Sequence, residues 1–406
     1  LISRGYRVAI CEQVEDPREA KGLVKREVVR IITPGTVLED NMLSETSANY
    51  LAAVYTGDEA AGLAFVDVST GEFKICQWQG KNALNQIYTE LLRLNPSECL
   101  MAEDQPTLWM EEQSYLTNLP IVTAEFPTSF NTACQVLLNH FKVATLESFG
   151  IDNSYDLAVF AAAAILDYLE KTCQANLHHL RTISIHHDEQ YLHMDIATRR
   201  NLELTSTIRD GKREGSLLSI LDYCCTAMGR RRLKNWIELP LRDLSAIQAR
   251  HDAVQELKDN LQLRSDLRRA LSEVYDMERL AGKIGSQMAT PRDLIALKQS
   301  LKKTETVKEL LQGTSSNLLI NISKLDALAE VYELIAKSIN DAPPLSVKEG
   351  DIIKDGYSSE IDELRVITNQ GSDWLVEYEN REKERTGIKY LKVAYNKVFG
   401  YYIEVS

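Results

Sequence analysis

The sequence predicts an α+β chain of several domains, in which a mixed sheet covered by helices precedes a mostly helical region and a final β-hairpin. Three observations carry this. Three β-branched and aromatic runs, residues 50–55, 61–68 and 72–78, follow one another across Gly57-Asp58 and Ser69-Thr70-Gly71, the pattern of an antiparallel meander. From Tyr155 onward apolar residues recur with helical spacing. Residues 356–386 form one long charged helical stretch closed by Gly387, ahead of two strand-like runs in 391–406.

The elements follow in order. Residues 6–13 and 28–32 read as two strands around a charged segment, 16–25, and Thr33-Pro34-Gly35 stops the second. This is too little for a domain and reads as the closing part of one. After the meander come a helix over 82–94, a strand over 98–101, a helix from Gln105, a strand over 121–123 and a helix over 131–141. Antiparallel strands followed by alternating helices and strands imply a mixed sheet with helical cover. An alanine-rich helix is expected over 156–176, and further helices over 195–209, 216–222, 227–238, 245–257, 277–288 and 291–311. Thr290-Pro291-Arg292-Asp293 supplies a cap, a first-position proline and a third-position acid. Asp341-Ala342-Pro343-Pro344 breaks the bundle before the long helix. The last two strands turn at residues 396–400, and a lone hairpin needs partner strands. The chain therefore reads as a piece of something larger, starting without Met at Leu1, with an end expected to fray or aggregate.

Bulk properties narrow the classes. With 406 residues, 44% hydrophobic and 26% charged, the composition is that of a globular protein with sizeable cores. A net charge of -13 argues against coating nucleic acid indiscriminately, and leaves room for a local basic surface. The longest apolar run, 157–166, is far shorter than the ~20 residues of a membrane span, so no membrane association is expected. Seven cysteines without CxxC spacing read as reduced thiols of a cytoplasmic protein.

Asp210-Gly211-Lys212-Arg213-Glu214-Gly215 has the wrong order for a phosphate loop and reads as a connection. His178, His179, His186, His187 and His193 cluster, yet adjacent pairs diverge and no HExxH occurs, so no metal site is expected. Asp67 on a strand, Glu90 on the next helix and Asp104 after the next strand could converge on two metal ions, as in ribonuclease-H-like nucleases. An acid before a turn is also a common local hydrogen-bonding residue. Arg230-Arg231-Arg232 with Lys234 is the densest basic run, and on a helix it spreads around the circumference. At the hairpin, Lys392, Asn396 and Lys397 are the candidates for contact with a nucleic-acid backbone.

Longer motifs point to a family. GYRVAICEQ at 5–13 with VRIITPGT at 29–36, DIATRRNLE at 195–203, MGRRRLKNW at 228–236, PLRD at 240–243, ERTG at 384–387 and YNKVFGYYI at 395–403 resemble, in order and spacing, the MutS family of bacterial DNA mismatch repair proteins. The resemblance covers essentially the whole chain. It implies that 1–36 is the C-terminal part of a mismatch-recognition domain and 46–150 a connector domain with a ribonuclease-H-like fold but no nuclease activity. Residues 151–176 would be a linker helix, 177–374 a helical core and lever domain, and 375–406 the end of the lever and the start of a clamp. Intact members pair as homodimers on double-stranded DNA with mispairs, use ATP with Mg and recruit MutL. The family's Phe-x-Glu wedge and its nucleotide loop are absent from this sequence, so no catalytic, cofactor or metal residue is carried over and the chain itself is expected to be no enzyme.

Overall fold

The computed structural model describes residues 1–15, 24–103, 105, 119–173, 177–186, 190–396 and 400–405. Strands β1 (Val8–Gln13) and β2 (Arg26–Ile32) pair antiparallel, with a bulge between Ile10 and Cys11. The turn after β2 is a short helix, Pro34–Thr36, in which the Thr33 and Thr36 side chains bond each other's backbone. Thr33 and Thr36 are fully buried.

The main sheet has six strands in the order β7-β6-β3-β4-β5-β8. They are β3 (Tyr50–Thr56), β4 (Ala60–Asp67), β5 (Glu72–Gln79), β6 (Glu98–Ala102), β7 (Ile121–Ala124) and β8 (Ser184–Ile185). The meander β3-β4-β5 is antiparallel, while β6, β7 and β8 join parallel to their neighbours, so the sheet is mixed as expected. Alternation divides the side chains. Leu51, Ala53, Ala64, Val66 and Ile75 face the helices α2 (Phe130–Phe141) and α3 (Asp156–Cys173), whereas Ala52, Val54, Leu63, Phe65 and Trp78 face α1 (Ala83–Leu94).

Helix α3, in the segment read as a linker, lies across the sheet. Its alanines 158 and 161–164 are fully buried, and a Cβ on Gly62 of β4 would run into the backbone of Leu157 and Ala158. Small residues on both sides let helix and strand touch backbone to backbone. The helix expected from Gln105 falls on residues 106–118, outside the described residues, as do most of the charged segment 16–25 and residues 174–176.

The helical region departs from expectation in one shortened helix and in three helices that the spacing did not reveal. Instead of one helix over 195–209, only α4 (Ile196–Asn201) forms. Glu203 takes the left-handed conformation at φ 46 and its carboxylate accepts the Ile208 N–H at 2.6 Å, which stops the helix. After α5 (Leu217–Leu221), α6 (Ala227–Glu238) and α7 (Leu244–Asp259) comes an additional helix, α8 (Leu261–Leu271). Asn260 ends one helix and caps the next by accepting the Leu263 N–H at 3.0 Å, so a one-residue break leaves little trace in the spacing. Then follow α9 (Met277–Gly285), α10 (Pro291–Leu310), α11 (Asn317–Ser323) and α12 (Ala329–Ser338). Thr290 and Asp293 form the expected reciprocal cap of α10. Ala253, Leu267, Leu311 and Leu319 make the small core of this region.

The chain forms two units, Leu1–Tyr332 and Glu333–Ser406. In the second, α13 (Ser359–Thr386) starts with Ser358 accepting the Ile361 N–H and ends at Gly387, φ 70. The hairpin strands β9 (Lys392–Asn396) and β10 (Gly400–Glu404) pair antiparallel. Among the described residues no helix is long and apolar enough to cross a membrane.

Candidate nucleic-acid interface and the sheet–helix junction

Lys392 opens β9 as an exposed side chain, and Asn396 closes the strand opposite Gly400. Lys397 lies outside the described residues. A carboxylate of α13 bonds the hairpin backbone: Glu379 accepts the Val393 N–H at 2.9 Å, and also the ammonium of Lys383 on its own helix at 2.5 Å. Those bonds, Lys383 first, hold Glu379 below the usual carboxylate range. Across the strands Tyr395 meets Tyr401 at 5.0 Å between ring centres, and Trp374 stacks on Tyr378 at 5.2 Å. Glu379→Ala removes the acceptor of the Val393 amide, so that amide is expected to exchange with solvent faster while amides of α3 keep their protection. Hydrogen exchange read residue by residue checks this.

Among the described residues nothing supports the metal-dependent nuclease constellation. Asp67 is fully buried, and it accepts Asn49 N–H at 2.9 Å, Ser69 N–H at 2.9 Å and Ser69 O–H at 2.6 Å. Burial pushes its pKa up, against those hydrogen bonds. Glu90 pairs with Arg93 of its own helix, at 2.8 Å from Nε, and His186 Nε2 lies 3.4 Å away. Asp104 lies outside the described residues. Two acids committed to separate structural tasks give no support to the nuclease alternative. Among the described residues no three of His, Cys, Asp and Glu are placed to hold a metal ion. The histidines disperse: His179 Nε2 bonds the Val68 carbonyl at 2.8 Å, His178 lines a surface cavity with His140, His193 is exposed, and His187 is outside the described residues.

Glu238, at the end of α6, is buried with Lys234 at 3.9 Å. Burial raises its pKa, with Glu90 adding and Lys234, Arg93 and Arg199 opposing. A folded-state pKa above the unfolded value of 4.5 contributes stability that is full below that value and lost as pH rises through the folded one. Glu238→Gln removes that loss. Urea unfolding is expected to find the variant more stable than the parent at pH 7, with a smaller difference at pH 4.

The basic run of α6 is divided around the helix, as its spacing predicts. Arg231 is buried and bonds Asp276 at 2.6 and 2.7 Å and Glu278 at 2.6 Å. Arg230 faces Glu45 at 3.4 Å, and Arg232 is exposed. Asp210–Gly215 does not fit a nucleotide phosphate. Thr207 N–H bonds the Lys212 carbonyl at 2.8 Å, Gly215 N–H bonds Ser219 Oγ at 3.1 Å, and the helix that follows, α5, has only five residues.

Helix α9 of the helical region also packs closely on the sheet, at the β4–β5 turn. Gly282 presses on the β4–β5 turn, where any Cβ would collide with the Ser69 carbonyl, and Gly285 abuts His179 in the same way. Arg279 donates to the Ser44 and Ser47 carbonyls at 2.7 and 3.2 Å. Lys283 bridges Asp40 at 2.5 Å and Asp293 at 3.2 Å. Sequence reading missed this junction. Its signal was Gly282 and Gly285, three residues apart on one helical face.

Three domain models match the chain in order: MutS domain I over residues 1–41, MutS domain II over 49–181 and MutS domain III over 197–396. The chain belongs to the MutS family. It is 52% identical over its whole length to the DNA mismatch repair protein MutS of Syntrophomonas wolfei, covering 48% of that protein. It is 44% identical to the protein of the same name from Acetivibrio thermocellus and 45% to that from Symbiobacterium thermophilum, covering 47% of each. The chain thus spans about half the length of these MutS relatives. Strands β3 to β7 of the main sheet lie in the MutS domain II match and α9 in the domain III match, so the α9 junction joins two MutS domains.

Proposed function

We propose that the chain serves in DNA mismatch repair as the mechanical middle of a MutS protein, linking a grip on DNA to signalling elsewhere in the molecule. The ordered succession of three MutS domains carries this reading, and relatives at 44–52% identity with that function in their names support it. The buried α9 contact supplies a path by which the sheet domain and the helices bias one another. In this reading the partners of the whole protein are double-stranded DNA with mispairs, a second MutS copy and MutL, the last on the sheet domain. ATP and Mg act in the whole protein, and the part played by this chain is not catalytic. Lys392, Asn396 and Lys397 would touch the DNA backbone.

A chimera tests it. The matching half of the Syntrophomonas wolfei protein is replaced by this chain and expressed in a bacterium lacking its own MutS. The chimera is expected to lower the spontaneous mutation rate. A stably expressed chimera that leaves the rate at the level of the empty strain would overturn the proposal.

A further inference from the structure

Trp236 of α6 is 37% exposed, and two arginines gather on its indole. The guanidinium carbon of Arg250, from α7, lies 3.8 Å from the ring centre, and that of Arg232 lies 5.9 Å from it. Stacking on an indole fixes the plane of a guanidinium and leaves its N–H edge free to form a fork with an anion.

The other arginines of α6 are balanced by acids: Arg231 by Asp276 and Glu278, Arg230 by Glu45. Among the described residues Arg232 and Arg250 form neither an ion pair nor a hydrogen bond. Burial, with Arg232 adding to it, pulls Arg250 below the usual arginine value, and Tyr191 acts in the opposite direction. In a chain of net charge -13, two unbalanced cations on one aromatic ring are a local exception. An arriving anion would relieve their repulsion.

We propose that Arg232, Trp236 and Arg250 form a docking site for a short acidic peptide segment of a partner protein, taking one carboxylate on each guanidinium. A carboxylate meets an arginine fork through two parallel hydrogen bonds, and adjacent acidic side chains of a peptide supply two such groups. The observations favour a peptide over a duplex. Binding along a DNA backbone draws on many phosphate contacts, and this site offers two cations on an acidic chain. The ring is also occupied by Arg250 and is not free to stack on a base.

The test is fluorescence anisotropy of the full chain at low salt, with labelled hexa-aspartate in one arm and a labelled 12-base-pair duplex in the other. The peptide is expected to bind, and the double variant Arg232→Gln with Arg250→Gln is expected to weaken it at least about tenfold. Arg250→Lys, which keeps the charge and loses the fork, is expected to weaken it as well, and far-ultraviolet circular dichroism confirms that each variant is folded. No peptide binding by the parent, peptide binding unchanged in the double variant, or tighter binding of the duplex through the same two arginines would each overturn the proposal.

Discussion

Gly282→Val is expected to uncouple the sheet from the helices and to destabilise the first unit by about 3 kcal/mol or more. A Cβ at this position of α9 would fall inside the contact distance of the Ser69 carbonyl oxygen and 2.9 Å from its carbonyl carbon. Both are backbone atoms of a turn fixed by Asp67, which accepts Ser69 N–H and O–H, so they have little freedom to withdraw. The opposing effect is helix propensity, which favours replacing a helical glycine with alanine by roughly 1 kcal/mol. Overpacking against backbone exceeds that gain, so even Gly282→Ala is expected to destabilise. Moving α9 away would also stretch the Arg279 bonds to the Ser44 and Ser47 carbonyls. Urea unfolding followed by circular dichroism measures the loss, and a Gly282→Ala chain as stable as the parent would show that the contact is softer than described.

Glu98→Ala is expected to cost roughly 3–5 kcal/mol, because it orphans three buried donors at once. Glu98 is 1% exposed at the start of β6. It accepts the Thr33 hydroxyl at 2.5 Å, the Gly35 N–H at 3.1 Å and the Tyr168 hydroxyl at 2.5 Å. These donors come from the turn after β2 and from α3, so one carboxylate fastens three parts of the chain. Gly35 fits because a Cβ there would sit 3.0 Å from Glu98 Cβ and 3.1 Å from Leu51 Cβ. Burial and Glu98 together hold the Tyr168 phenol well above its usual pKa, so it remains a donor at neutral pH. The nearest cation, Arg7, is 3.9 Å away and half exposed, too weakly placed to drive the arrangement. Glu98→Gln keeps an acceptor and is expected to lose less. Urea midpoints of the two variants, with unchanged slopes, check the order.

Much of the fold was legible because its signals are local. The meander was marked by β-branched runs and Gly-containing turns, and its strands form within a residue or two of expectation. Helix α10 announced itself through Thr290, Pro291 and Asp293, whose cap forms as the residues require. What stayed hidden is long-range. Helix α3 was legible as a helix, but an apolar, alanine-rich sequence does not say which surface it covers. Its partner is Gly62, about a hundred positions earlier in the sequence. The end of α4 depends on Glu203 bonding Ile208, a contact that helical spacing does not encode. Asp67 and Glu90 had the chemistry of a metal site, and only their hydrogen-bond partners reveal structural roles. Arg231 and Arg232 are adjacent in sequence, yet one is buried between two acids and the other exposed beside Trp236.

The sheet and the helices of the first unit are expected to behave as one body through α9. This is tested most directly by urea unfolding of two variants that keep a single tryptophan, Trp78 in the sheet or Trp236 on α6. One body requires the two emission transitions to coincide in the parent background and to separate once Gly282→Val is added. Separate transitions at Trp78 and Trp236 without that substitution would contradict it.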